Sequence, residues 1–177
     1  MKTIAIIPAR GGSKRIPRKN IKDFLGKPIM AYSIELALTC GLFDIVMVST
    51  DDDEIRSIAL DLGADVPFMR SPSTSDDHAT TASVIKEVLD RYAGLGKVFD
   101  FACCIYPTAP LLTRDTLTKA FGLLVENGFT SVFPTVPYGY PIWRSLKIDQ
   151  RTNQVEMNWP ENISARSQDL PPAFHDA

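Results

Sequence analysis

Apolar residues recur along this chain in two rhythms that alternate from start to end. Short unbroken runs bounded by breakers, TIAIIP (Thr3 to Pro8) and DIVMVST (Asp44 to Thr50), read as strands buried on both faces of a parallel sheet. Between them, PIMAYSIELALTCGLF has apolar residues at helical spacing and a glycine stop, which predicts a helix over Ile29 to Thr39. DDDEIRSIALDLGA opens with acids that suit a helix N-terminus and ends at Gly63, and DVPFM follows as a short third strand. A polar stretch from Arg70 leads into a helix from Thr80 to Tyr92, then a buried strand in DFACCIYP (Asp100 to Pro107), a helix over Arg114 to Asn127 and a further strand in TSVFPTV. Such alternation predicts an α/β fold, a mostly parallel sheet flanked by helices with right-handed crossovers. Beyond Val136 the rhythm changes to two strands joined by a polar turn near Arg151 to Asn153, then to irregular chain. The expectation is a single domain over residues 1–177 with a hairpin-like extension at 137–165.

Composition narrows the class. With 45% hydrophobic and 23% charged residues the chain reads as a soluble globular domain. Its net charge is −2, yet the segment from Arg10 to Lys22 holds six basic residues and no acid, leaving 13 basic against 21 acidic residues elsewhere, or −8. A coat for nucleic acid spreads positive charge over a face and has a basic pI, whereas this pI is near 5.7. A focused positive spot suits a small anion. The first apolar run stops at Arg10, too short for a secretory leader, and no run approaches the ~20 residues of a membrane span. Cys40, Cys103 and Cys104 are odd in number with two adjacent in an apolar strand, which predicts reduced, buried residues of a cytoplasmic protein and not a disulfide or zinc framework.

In open α/β sheets ligands bind outside the carboxyl ends of the strands. That placement gathers the loops Ala9 to Lys22, the acids from Asp51, Arg70 to Thr81 and Tyr106 to Leu111. Neither the P-loop order of glycines and lysine nor the dinucleotide pattern G-x-G-x-x-G occurs in the first loop. A longer loop, in which Gly11 and Gly12 admit phosphate oxygens to backbone N–H groups while basic side chains neutralise charge, fits a triphosphate. A solvated basic loop fits this chemistry equally well.

The stretch IPARGGSKRIPRKNI resembles the N-terminal signature of the acylneuraminate cytidylyltransferases, enzymes that attach CMP to nine-carbon keto sugar acids. The resemblance continues in order through VSTDDDEI, DDHATTASVI, IYPTAPLLT and RSQDLPPAF, and YPTAPL and YGYPIWRSL are most similar to the pseudaminic acid branch that serves flagellin glycosylation. It implies a Rossmann-like nucleotide-diphospho-sugar transferase fold, and attack by the sugar's anomeric hydroxyl on the α-phosphorus of CTP with release of pyrophosphate. Arg10 and Lys19 are then expected on the triphosphate as the catalytic cations, with Gly11, Gly12, Ser13 and Lys14 as donors. Arg15, Arg18 and Lys22 fit either phosphate contact or plain surface charge.

For the nucleoside end the resemblance points to Pro8, Ala9, Asn20, Arg70, Asp77, Thr80 and Ser83. Asp77 and Thr80 are equally good helix caps, and His78 is given no catalytic role. Tyr106, Pro107 and Thr108 are expected to line the sugar pocket, and Arg166, with Gln168 beside it, to take the keto acid's carboxylate in bidentate geometry. The acids Asp51, Asp52, Asp53 and Glu54 read better as a charged helix start than as a metal site. Mg²⁺ is the expected cofactor, but the family's metal-binding aspartates fall in a segment expected beyond Ala177, so none is assigned here and the chain reads as truncated. The resemblance also implies a homodimer through the region after Val136. Competing readings are CMP transfer to a sialic, legionaminic or keto-deoxy sugar acid, and a noncatalytic nucleotide-binding module.

Overall fold

The computed structural model describes residues 1–176 as two compact units that meet in sequence at Thr118 and Lys119. In the first unit β1 (Thr3–Pro8) is followed by a two-residue hairpin pair, β2 (Asp23–Phe24) and β3 (Lys27–Pro28), then α1 (Ile29–Thr39), β4 (Ile45–Ser49), α2 (Asp53–Asp61), α3 (Thr81–Gly94) and β5 (Phe101–Cys104). α4 (Arg114–Glu126) begins in this unit.

The sheet is parallel in the order β4-β1-β5. β1 is central, and its period of two sorts its side chains between two helical layers. Ala5 and Ile7 join Met30 and Ile34 of α1 and Ile55 and Ala59 of α2, whereas Ile4 and Ile6 meet Val88 and Tyr92 of α3. All four β1 residues are inaccessible to solvent, which is why the run reads as unbroken apolar sequence. Tyr92 is clasped edge-to-face by Phe68 and Phe99, with ring centroids 5.4 Å apart in each pair.

Two expected strands fail to join this sheet. DVPFM makes only a parallel bridge of Asp65 to Met47, because Pro67 has no N–H to continue the ladder beside β4. TSVFPTV is interrupted by Pro134, and only β6 (Thr135–Pro137) forms, paired antiparallel with β9 (Phe174–Asp176) in the second unit. That unit also holds β7 (Leu146–Ile148) and β8 (Val155–Met157), joined by a turn at Asp149–Gln154 in which Asn153 adopts φ 57°, as the polar residues there predict. Trp143 stacks edge-on with Trp159 at 5.4 Å and its indole donates to the Pro171 carbonyl at 2.8 Å. The stretch read as irregular contains short 3-10 turns and β9.

Candidate active site

Because β1, β4 and β5 are parallel, their carboxyl ends lie on one edge, and the loops that leave them face a common cleft of about 410 Å³. The first loop leaves β1 with Pro8 lining the cleft, while the next residue, Ala9, is fully buried and donates its N–H to the Ser49 carbonyl. Gly11 donates its N–H to the Asp51 carboxylate at 2.9 Å, and Ser13 closes a tight turn on the Gly11 carbonyl. Gly12 is open on its Cβ side, whereas Gly11 lies against the Asp52 side chain.

The acids at the start of α2 do more than complement its dipole. Asp52 caps the helix by accepting from the Ile55 N–H at 3.0 Å, and the same carboxylate takes the Arg18 guanidinium in a fork, with Arg18 Nη2 shared between Asp52 and Glu54. Arg18 adopts φ 54° at the entry to the 3-10 turn Lys19–Ile21, so the latch sets the bend that presents Lys19 and Asn20 to the cleft. The hydrogen bond from Arg18 holds the Asp52 carboxyl below the usual carboxylate range, and Asp52 in turn raises the already high pKa of Arg18. The sequence reading missed this latch; its visible signal was an acidic helix start facing an all-basic loop across neighbouring strand ends.

Arg10, Lys14, Arg15 and Lys19 line the cleft with Ser13, while Lys22 stays exposed. Asp77 closes on them from the third loop: Arg10 donates to its carboxylate at 2.9 Å and to the Asp76 carbonyl at 3.0 Å, and Lys14 forms a second ion pair with it. These two cations, Lys14 first, hold the Asp77 carboxyl below its ordinary value. Asp77 therefore does not cap α3. Thr80 does, accepting from the Ser83 N–H at 3.1 Å, while the Ser83 hydroxyl turns back to the Thr80 carbonyl and neither residue lines the cleft. His78 is exposed and its backbone N–H is held by Asp76.

Deeper in the cleft, Asn20 is buried with its amide nitrogen on the Arg10 carbonyl at 2.9 Å, and its Oδ1 has no hydrogen-bond partner. An orphaned buried acceptor in a cleft is satisfied by a ligand's hydroxyl or amino donor. Arg70 is only 8% exposed, with Nε donating to Ser49 Oγ at 3.0 Å and its own N–H to the Thr50 carbonyl. Burial pushes its pKa down, opposed by the nearby charges of Asp51 and Glu87. At the end of β5, Tyr106 exchanges a hydrogen bond with the Thr81 hydroxyl at 3.0 Å, and Pro107 and Thr108 complete that wall. Asp76, Ala79 and Thr81 also line the cleft, within the DDHATTAS stretch that the sequence pointed to as a whole, and Val84 is a lining residue that it did not single out.

Arg166 belongs to the second unit, where it forks onto Asp169 at 2.7 and 3.2 Å, and Gln168 lies in the same 3-10 turn. Among the described residues no three His, Cys, Asp or Glu side chains gather as a metal site. Of the two carboxylates lining the cleft, Asp77 is engaged by Arg10 and Lys14, and Asp76 accepts the N–H groups of His78 and Ala79. The residues present do not by themselves fit Mg²⁺. The three cysteines are unbridged, and burial pushes the Cys103 and Cys104 thiols up to about 11. No helix among the described residues is long and apolar enough to cross a membrane.

Comparison with known proteins gives this geometry a context. The pseudaminic acid cytidylyltransferase of Campylobacter jejuni is 46% identical over 177 residues, covering all of this chain and 76% of the relative. A Helicobacter pylori protein described as pseudaminic acid cytidylyltransferase and UDP-2,4-diacetamido-2,4,6-trideoxy-beta-L-altropyranose hydrolase is 39% identical, and the chain spans 34% of it. Among solved structures, a CMP:2-keto-3-deoxy-manno-octonic acid synthetase complexed with CTP superposes with a TM-score of 0.70 at 19% identity, covering the whole chain and 72% of that protein, a likeness of fold. The cytidylyltransferase family model matches residues 4–158, from the buried first strand through the cleft loops, and the chain belongs to that family.

Proposed function

We propose that this protein transfers CMP from CTP to the anomeric hydroxyl of pseudaminic acid. The observation that carries the reading is the cleft itself, where Arg10, Lys14 and Lys19 line the same space as a buried asparagine with an unsatisfied acceptor. Such a site pairs a polyphosphate end with a donor-bearing end, as a nucleoside triphosphate has. The choice of cytidine follows from the family, and the choice of sugar from the 46% identity to the Campylobacter jejuni enzyme.

In the reaction the sugar oxygen forms a bond to the α-phosphorus as the bond from that phosphorus to the bridging β-oxygen breaks, and the hydroxyl proton leaves to solvent. Pyrophosphate departs with the negative charge that develops on it. The chain's part is to place the triphosphate and stabilise that charge with fixed cations, the contribution that dominates phosphoryl-type transfer. Mg²⁺ belongs to the proposal as a companion of the triphosphate, since such ions take few protein carboxylates and several phosphate oxygens or waters.

The test is pyrophosphate release from each nucleoside triphosphate with Mg²⁺ and a panel of pseudaminic, sialic, legionaminic and shorter keto-deoxy acids. Release that depends on both CTP and pseudaminic acid is expected. Release with another acid of the panel reassigns the sugar, and CTP binding with no release from any sugar makes the protein a nucleotide-binding module.

We further propose a homodimer. In the β7–β8 ribbon the register sets Leu146 opposite Met157 and Ile148 opposite Val155, an all-apolar face, with Lys147 and Glu156 ion-paired on the other. Leu146, Ile148 and Val155 are each more than half exposed, a surface that self-association would cover. Light scattering at working concentration is expected to give twice the chain mass; a monomer contradicts it.

A further inference from the structure

The segment that carries Arg70 into the cleft is held from behind by α3, through two residues one helical turn apart. Glu87 accepts the Ser71 N–H at 2.9 Å and the Ser71 hydroxyl at 3.0 Å, and the Thr74 hydroxyl also donates to it. Arg91 donates to the Met69 carbonyl at 2.5 Å and lays its guanidinium over the Phe68 ring at 4.3 Å, with Glu87 Oε1 3.6 Å from its Nη1. Both chain neighbours of Arg70 are thus tied to α3, while Arg70 itself makes no ion pair among the described residues and relies on Ser49 and Thr50 for its hydrogen bonds. The Glu87 side chain is 15% exposed, so its carboxylate is costly to leave unbonded. Burial works against its ionisation, but the hydrogen bonds from Thr74 and Ser71 prevail and keep its carboxyl below its ordinary value.

Nothing in the family resemblance or in the cleft lining singles out Glu87, which does not face the cleft. We infer that Glu87, braced by Arg91, is a positioning residue that sets the backbone at Met69–Ser71 and thereby aims the Arg70 guanidinium at the bound nucleotide. The inference rests on the proposed use of CTP. Its physical content is a linkage: if the turn relaxes, Arg70 pays the ordering cost each time the nucleotide binds, and affinity falls with little change in the chemistry of the bound complex. An amide at position 87 has the carboxylate's shape but replaces one of its two oxygens with a donor, so it cannot accept from the Ser71 N–H and from the Ser71 and Thr74 hydroxyls together as the acid does.

The experiment is a double-substitution cycle with the full chain, reading the Kd for CTP and the steady-state constants of Glu87→Gln, Arg70→Ala and the pair. Glu87→Gln is expected to raise the Kd and KM for CTP about tenfold with kcat held within about threefold, and to raise Kd by less than about twofold when Arg70 is already alanine. A purely structural role instead gives an additive effect, equal with and without Arg70, and overturns the inference, as does an unchanged Kd. If Glu87→Gln does not fold, Thr74→Val removes a single donor and carries the same cycle with a smaller effect. A wild-type chain that binds no cytidine nucleotide overturns the CTP reading and this inference with it, whereas a wild-type chain that binds CTP isolates the role of Glu87.

Discussion

Arg10→Ala is expected to lower CTP-dependent pyrophosphate release by about 10²- to 10³-fold, the loss typical when a preorganised charge-stabilising donor is removed, while Arg18→Ala stays within about tenfold of wild type. The two arginines stand in the same basic loop, and the structure separates them. Arg10 lines the cleft, whereas Arg18 does not and is consumed by Asp52 and Glu54. Asp77 competes with the triphosphate for Arg10 and Lys14, but each partner of the Arg10 pair is about a third exposed, so breaking it costs little. A triphosphate brings about four negative charges to the same cations and wins that exchange. Asp77→Asn is therefore expected to lower KM for CTP, the opposite direction from Arg10→Ala. Equal losses for Arg10→Ala and Arg18→Ala in steady-state assays would show that the Arg18 latch is as necessary to the site as the cation that faces the cleft.

The second large effect is expected from Gly11→Ala. A Cβ there would stand 2.6 Å from Asp52 Oδ2 and 2.9 Å from Asp52 Cβ, so rotating the carboxylate alone cannot make room. Asp52 must shift, and with it go the cap of α2 and the fork on Arg18. Loss of the cap alone costs about 1 kcal/mol, and displacement of the backbone between Arg10 and Ser13, both of which line the cleft, is expected to cut turnover at least about tenfold. Gly12→Ala meets nothing within 4 Å and should be close to wild type in both respects. Thermal melting and pyrophosphate release on the two variants check this; a Gly11→Ala chain that melts and turns over like Gly12→Ala would show that Asp52 yields freely.

This pair of glycines marks where reading along the chain stops being informative. In GGSKR they are equivalent letters, and only the tertiary structure sets one against the Asp52 side chain and leaves the other open. The acids of DDDEI behave similarly. As sequence they read as a helix start, and Asp52 is one, but their second role needs Arg18, 34 positions away, to be brought alongside by the parallel pairing of β1 and β4. Asp77 reads as a cap or a nucleotide contact and is neither an α3 cap nor a free carboxylate, because Thr80 takes the cap and two cations take the acid.

What the sequence by itself determined is the set of features that depend on neighbours a few residues away. Helices α1, α2, α3 and α4 fall close to where apolar spacing and glycine stops place them, and β1 announces its burial on both faces by having no polar alternation. The family signature named the cleft loops for the same reason, since its residues stand in contiguous stretches. The tertiary structure decided everything that turns on competition between distant groups. It left DVPFM and most of TSVFPTV out of the ladder where prolines withheld a donor, and it divided six basic residues into those that face the cleft and those spent elsewhere. A charged side chain takes whichever partner the fold brings within reach, and the spacing of letters in a loop does not record which opposite charge the neighbouring strand will deliver.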